Sequence, residues 1–514
     1  MRKSGVRAWI PALFIFLLCA CEQDASQQSL AREAFLQKRD TVLAEFGPCD
    51  RDAGTVLATL VAESLCTVFS VPENYDDPQG RQVDLKLMVI PALSDFPESD
   101  PLFLLAGGPG QAATDLVQAA QVFSRTRTER DIVLLDQRGT GELSPFDCQL
   151  SEEETEALER RDPPFEEVLT IQLDVLRKCL SETQADPAYY TTDIAMRDLD
   201  QVRDTLGYSQ INLWGASYGS RAALAYLRGY PEHTRTVIID AIAPTALKLP
   251  LYNERDVSAS LEAVMNDCAQ SRECHAAFPA LRDHYLELLE HLQTPQPLTY
   301  VDYSDYSRLD ISLDAYEFQG FLRQVLYSRE AQRLLPLIIE QAWEGNYEPV
   351  FALAGQYAQA QINQGMFLSV ICNEDVTFIS KDELEAENAS SYLIKSDMFN
   401  RFVLEACAFW PVREIPDDYF EPVIENKPVL IFSGALDPVT PPVWGELVHD
   451  ALPNSEHYVL EGFGHGTLFT ICTSAMMNTF IETASFEALD SNCIETFVRR
   501  PFFVTPGGSR MPDD

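Results

Sequence analysis

The stretch Ile211-Asn212-Leu213-Trp214-Gly215-Ala216-Ser217-Tyr218-Gly219-Ser220 leaves the chain few folds to choose from. An apolar run, residues 211–214, passes through Gly-x-Ser-x-Gly straight into a helix-like run, residues 221–228. A strand that becomes a helix without an intervening loop needs a tight, strained turn, and flanking glycines let the backbone make it. The turn lifts the serine clear of the C-terminal edge of a sheet, where the first amides of the helix can take a negative charge. The five-residue pattern is common by itself; the strand and helix around it make Ser217 a candidate nucleophile.

The rest of the chain repeats the strand-then-helix rhythm. Apolar runs at 66–71 and 83–90 flank the turn-rich residues 72–80. Residues 101–105 run into Ala106-Gly107-Gly108-Pro109-Gly110, and residues 131–135 into Asp136-Gln137-Arg138-Gly139-Thr140-Gly141. Asp193 can cap a helix carrying Ile194, Leu199, Val202 and Leu206, which Gly207 can end. Residues 236–239 form another apolar run, and the pattern resumes at 428–432 and 457–460. Between them, from about 256 to 410, the chain is mostly amphipathic and helix-like. This alternation predicts an α/β fold: a mostly parallel sheet with helices on both faces and an inserted helical cap. The expected divisions are a signal segment at 1–21, a tether and lead-in at 22–65, core at 66–244, cap at 245–427 and core again at 428–514.

Charge and cysteine usage narrow the setting. With 38 basic and 79 acidic side chains the formal charge is -41. Such a surface repels nucleic acid and anionic membranes and would attract cationic ligands such as peptide amines. Arg2, Lys3 and Arg7 precede an apolar segment, residues 8–20, too short to span a bilayer. It ends in Leu18-Cys19-Ala20-Cys21, which resembles a bacterial lipobox with Cys21 as the lipidated new N-terminus; an ordinary cleaved secretory signal is the alternative. The expected location is the bacterial cell envelope, with membrane contact only through that anchor. Glu22 after the lipobox favours the outer membrane in a Gram-negative host. Of 12 cysteines, those other than Cys19 and Cys21 form an even set, and an exported chain oxidises them. Sequence neighbours suggest Cys49–Cys66, Cys148–Cys179, Cys268–Cys274, Cys372–Cys407 and Cys472–Cys493. No C-x-x-C pair and no Cys/His cluster at zinc spacing occurs, so no metal site is expected.

A serine nucleophile needs a base, and the base an orienting acid. Of seven histidines, His465 alone sits just past a strand, in Gly462-Phe463-Gly464-His465-Gly466. Asp437 follows the strand at 428–432, in Ser433-Gly434-Ala435-Leu436-Asp437-Pro438-Val439-Thr440-Pro441-Pro442. Backbone donors for a developing oxyanion are expected from Tyr218, directly after the nucleophile, and from Gly108, with Gly107 as the alternative. The order Ser217, Asp437, His465 is that of α/β-hydrolases.

Gly-Gly-Pro-Gly, Asp-Gln-Arg-Gly-Thr-Gly, Gly-x-Ser-Tyr-Gly, Ser-Gly-x-x-Asp-Pro-Val-Thr-Pro and Gly-His-Gly, in that order, resemble the proline iminopeptidase and tripeptidyl aminopeptidase family of α/β-hydrolases, from roughly Cys66 to Cys493. The resemblance implies a serine exopeptidase that works on free peptide N-termini with neither metal nor cofactor. Ala106 departs from it, standing where proline iminopeptidases usually have histidine. Ser369-Val370-Ile371-Cys372-Asn373-Glu374-Asp375 looks like the family's cysteine-plus-acid cap segment, with residues 407–411 as its partner. By that resemblance Glu374, then Asp375, would bind the substrate's α-ammonium group. An esterase using the same triad is the nearest rival, because fold and triad do not choose the leaving group. A non-catalytic binding protein on this fold is the more distant one. The sequence carries no sign of oligomeric state.

Overall fold

The architecture is seen in a computed structural model that describes residues 30–509 apart from 50–57, 160, 162, 302–307, 355–360, 391–392, 394–397 and 417. The signal segment and Cys21 lie outside the described residues. One sheet runs in the order β1-β2-β3-β5-β4-β6-β7-β10-β11. Its strands are β1 (Gly47–Pro48), β2 (Leu65–Pro72), β3 (Gln82–Ile90), β4 (Leu102–Leu105), β5 (Ile132–Leu135), β6 (Ile211–Ser217), β7 (Thr234–Ile242), β10 (Val429–Gly434) and β11 (Ser455–Leu460). From β5 through β11 every neighbouring pair is parallel, while β1, β2 and β3 pair antiparallel along one side.

The unbroken apolar runs become the middle of the sheet because parallel strands are covered on both faces. Strands β4, β5 and β10 are buried along their whole length. Alternate residues of each strand enter opposite layers. Phe103, Leu105, Val133, Leu213 and Ile239 pack on one face, and Leu102, Leu104, Ile132, Trp214 and Ile238 on the other. The cap has its own core around Leu261, Phe318, Leu322, Leu335 and Ile338, which also takes in Leu436 from the loop after β10.

Within the lead-in, residues 30–43 are helical, and Arg39 holds the buried Asp131 carboxylate through two hydrogen bonds of 2.6 and 2.7 Å. The mainly helical cap also carries a feature the sequence did not announce: β8 (Gln296–Val301) and β9 (Arg308–Leu313) form an antiparallel hairpin. All five neighbouring cysteine pairs are bridged, which fits an oxidising compartment and export. The Asp-Gln-Arg-Gly-Thr-Gly motif is scaffold. Arg138 is fully buried and binds both oxygens of Asp198, at 2.7 and 2.8 Å, with the Glu73, Tyr189 and Pro72 carbonyls taking its remaining donors.

Candidate active site

Ser217 ends β6 with φ 57° and ψ -126°, left-handed backbone on a non-glycine residue. Such a conformation costs about 1–3 kcal/mol and persists only where packing dictates it. The flanking glycines show what dictates it here. A Cβ on Gly215 would stand 2.1 Å from the Gly219 carbonyl oxygen, and one on Gly219 would stand 2.3 Å from that of Leu105. The helix Tyr218–Gly229 is therefore pressed onto the end of β4, the strand that leads into Gly-Gly-Pro-Gly. That loop lies beside the nucleophile, since a Cβ on Gly107 would touch the Ser217 Cβ at 3.4 Å. Gly108, at φ 106°, packs under Ile362 of the cap. The Tyr218 amide thus begins a helix next to Ser217, and its phenol turns away to Thr192 Oγ1 at 2.8 Å.

Asp437 and His465 rise from the same edge of the sheet. Ser217 is in register with Ile242 of β7, and Asp240 of β7 with Phe432 of β10, so the ends of these parallel strands line up. Asp437 is buried and saturated. Its Oδ1 accepts from the Val439 and Thr440 amides at 2.9 and 2.8 Å, and its Oδ2 from Thr440 Oγ1 at 2.7 Å and His465 Nδ1 at 2.8 Å. Burial alone would raise this carboxyl; the His465 charge and hydrogen bond together with the two amides outweigh it, so the group ionises below its ordinary range. For His465, burial disfavours the cation, but the Asp437 carboxylate overcomes that and Asp240 adds to it, so the imidazole titrates above 6.5. With Nδ1 donating to Asp437, the neutral ring exposes an unprotonated Nε2. That nitrogen has no hydrogen-bond partner among the described residues; in free enzymes the contact with the nucleophile commonly tightens only once substrate binds.

The loop carrying His465 is locked from both sides. A Cβ on Gly464 would stand 2.5 Å from the Leu326 and Tyr327 carbonyl oxygens, and one on Gly434 would stand 2.0 Å from the Gly464 oxygen. The His465 amide donates to the Tyr327 carbonyl at 3.0 Å. Two residues on, Asp240 Oδ2 accepts from the Thr467 amide and hydroxyl at 2.7 and 3.1 Å. Burial, as the leading cause, pushes the Asp240 carboxyl up to about 6.

The expected amine-binding pair is placed differently. Glu374 ends the cap helix Gln364–Glu374, where it accepts from the Thr192 amide and hydroxyl at 2.6 and 2.8 Å and from the Tyr419 hydroxyl. Asp375 takes two hydrogen bonds from Arg221 Nη1, at 2.9 and 3.1 Å. Both carboxylates are buried, at 1% and 0% exposure. A side chain that binds a substrate ammonium must show an oxygen to the cleft, and these two spend theirs on Arg221, Thr192 and Tyr419. In this arrangement the motif braces the cap against the nucleophile helix, and amine binding by Glu374 or Asp375 is left as a proposal for a substrate test. Sequence reasoning also passed over Thr440, which grips both Asp437 and His465 and stood inside a motif already singled out. It missed Asp240 as well, an acid in the otherwise apolar end of β7.

A strained serine at a strand-to-helix turn, with a carboxylate-bound imidazole on the same sheet edge, is the apparatus of a serine hydrolase. The chain belongs to the alpha/beta hydrolase fold family, whose model matches residues 100–470. Serine protease Hip1 of Mycobacterium tuberculosis is 25% identical over 411 residues, covering 74% of this chain and 77% of that protein. Tripeptidyl aminopeptidase of Streptomyces coelicolor is 22% identical over 465 residues, covering 85% and 84%. Carboxylesterase B of Mycobacterium tuberculosis is 29% identical over 261 residues, covering 46% and 49%.

Proposed function

We propose that this chain is a serine exopeptidase of the aminopeptidase type, hydrolysing peptide bonds near free N-termini through an acyl-enzyme. Ser217 attacks the carbonyl carbon while His465 Nε2 takes its proton, and Asp437 orients the ring and stabilises the imidazolium. The Tyr218 amide and that of Gly108, or of Gly107, hold the tetrahedral oxyanion. The imidazolium then protonates the leaving amine, and water, deprotonated by the same nitrogen, releases the acyl group. The observation that carries the reading is the Asp437–His465 pair standing at the strand edge where Ser217 is held in its strained turn. The choice of peptides is supported by the peptidase names of relatives that span most of the chain. Carboxylic-ester hydrolysis is the second reading, favoured by the likeness to carboxylesterase B. Mass spectrometry of a peptide library before and after incubation, with Ser217→Ala as control, tests the proposal. Loss of short N-terminal pieces supports it; ester turnover with an untouched library overturns it.

The proposal extends to place. Lipidation at Cys21 is supported by the basic start and lipobox-like sequence, and labelling with a radioactive fatty acid that Cys21→Ala abolishes would be the matching result.

A further inference from the structure

Cap side chains lie against both the Gly-Gly-Pro-Gly loop and the His465 loop, and one residue beside them, Arg323, carries a fixed charge. The helix Ala315–Tyr327 ends on the His465 loop. The Tyr327 ring meets the imidazole edge-on, with centroids 5.0 Å apart and planes at 61°. Arg323 lies four residues earlier, which on a helix is the same face one turn back. Its guanidinium stands 5.4 Å over the ring of Phe399, and Phe399 meets Phe367 at 6.1 Å. Phe367 sits in the first turn or so of the helix that follows Ile362, whose side chain lies against Gly108. Ile362 thus stands at the Gly-Gly-Pro-Gly loop and Tyr327 at His465, while Phe367, Phe399 and Arg323 touch in turn, Arg323 lying one helical turn from Tyr327.

Arg323 is out of character for this protein. The chain holds 79 acidic side chains against 38 basic ones, yet among the described residues the contact of the Arg323 guanidinium is with the Phe399 ring and not with a carboxylate. Its charge is also near enough to the imidazole to oppose protonation of His465. A guanidinium half-sheltered among aromatic rings keeps its planar fork of donors, and cation–π contact makes up only part of what a carboxylate would supply. The long-range field of so acidic a surface repels anions, so an anionic substrate would need a local cation to be held.

We infer that Arg323 is a specificity-determining residue that binds a carboxylate carried by the substrate, either the free C-terminus of a short peptide or an acidic side chain. The inference rests on the hydrolase reading and deepens it. Two parallel N–H···O bonds would fix the substrate's far end and so set where the scissile carbonyl falls over Ser217.

The test uses the full chain and substrates matched in all but the anion. One peptide ends in a free carboxylate, a second in an amide, and a third in an amide with a glutamate replacing a neutral residue. A pair of activated esters, of butyrate and of succinate with its second carboxylate free, repeats the contrast without a peptide bond. The quantity read is the ratio of kcat/KM between charged and neutral partners within each protein, so a general loss of activity cancels. The expected preference for the carboxylate is about tenfold or more, falling to about one in Arg323→Gln and kept in part by Arg323→Lys. Preference for the free C-terminus over the glutamate peptide, or the reverse, identifies the source. A ratio near one in the parent protein, or one that survives Arg323→Gln, overturns the inference. If the esters show the contrast and no peptide is cut, the inference stands and the peptidase reading falls; if neither is hydrolysed, both fall.

Discussion

Two buried carboxylate–cation clusters flank the nucleophile helix, and they are built from nearly the same parts for opposite ends. Asp437 faces His465, while Asp375 and Glu374 face Arg221. In the first, an ionised carboxylate with every oxygen donor-saturated holds an imidazole, whose proton can leave near neutral pH. In the second, a guanidinium that never gives up its proton is shared by two carboxylates. The first cluster carries its titrating proton on an imidazole at the strand edge that holds Ser217, and so can do chemistry; the second is closed around Arg221 inside the protein and holds elements together. Burial is alike in both, so it is the titration range of the cation and its place at the strand edge that separate machinery from brace.

The largest test of that contrast is on activity. Asp437→Asn keeps the shape of the acid but lets the ring take the wrong tautomer, and Ser217→Ala removes the nucleophile. Each is expected to lower kcat by about 10⁴-fold, as such changes do in other triads, with the melting temperature nearly unchanged. The comparison breaks if Asp437→Asn instead unfolds the protein or leaves the rate within tenfold.

Arg221→Gln is expected to do the reverse. It strands Asp375 and Glu374 in the interior, and breaking a buried pair in this way costs about 3–5 kcal/mol. Urea unfolding should show a midpoint that falls accordingly. A variant as stable as its parent would mean that Arg221 does not brace the cap at all.

How much of this difference could be read from the chain depends on the kind of feature. The central strands were legible because burial on both faces leaves four or more apolar residues in a row, as at Ile132–Leu135. The nucleophile turn was legible because its glycines are forced by backbone contacts of about the shortest kind the fold contains, at Gly215 and Gly219. The surroundings of Glu374 were not legible because sequence reports that a residue is charged, not which way it faces, and its partner Arg221 is 153 positions away by number. The hairpin of β8 and β9 was lost in a stretch whose neighbours are amphipathic helices, where two short strands have little room to show a period. Asp240 was invisible for the opposite reason: one acid at the end of a buried strand looks like an irregularity until Thr467 is seen above it.

The next test sharpens the catalytic half. A general base must be neutral, and the pKa of His465 is raised above 6.5, so kcat/KM should fall on the acid side with an apparent pKa above that value. Asp240→Asn removes one of the two carboxylates that raise it and should move the acid limb down, by less than about one unit. A purely structural role for Asp240 would lower the plateau and leave the limb where it was, and an upward shift would contradict the electrostatics.

The smallest expected effect belongs to the brace, in Glu374→Gln. Burial, as the leading cause, raises the Glu374 carboxyl above 4.5 and that of Asp375 from 3.8 to about 7, against the pull of Arg221. The folded protein therefore keeps a proton that the unfolded chain releases in this range. By linkage, that contribution to stability is full below about 3.8 and is lost as pH rises through about 7. Glutamine mimics the protonated acid, since its oxygen can still accept from the Thr192 amide while its NH₂ faces the Thr192 and Tyr419 hydroxyls, which can turn to accept. The parent should lose more stability than the variant as pH rises from about 5 to about 8. The same variant should change kcat/KM equally for a free-amine peptide and its acetylated twin. A loss confined to the free amine would return Glu374 to the substrate, and would make both clusters part of the active site.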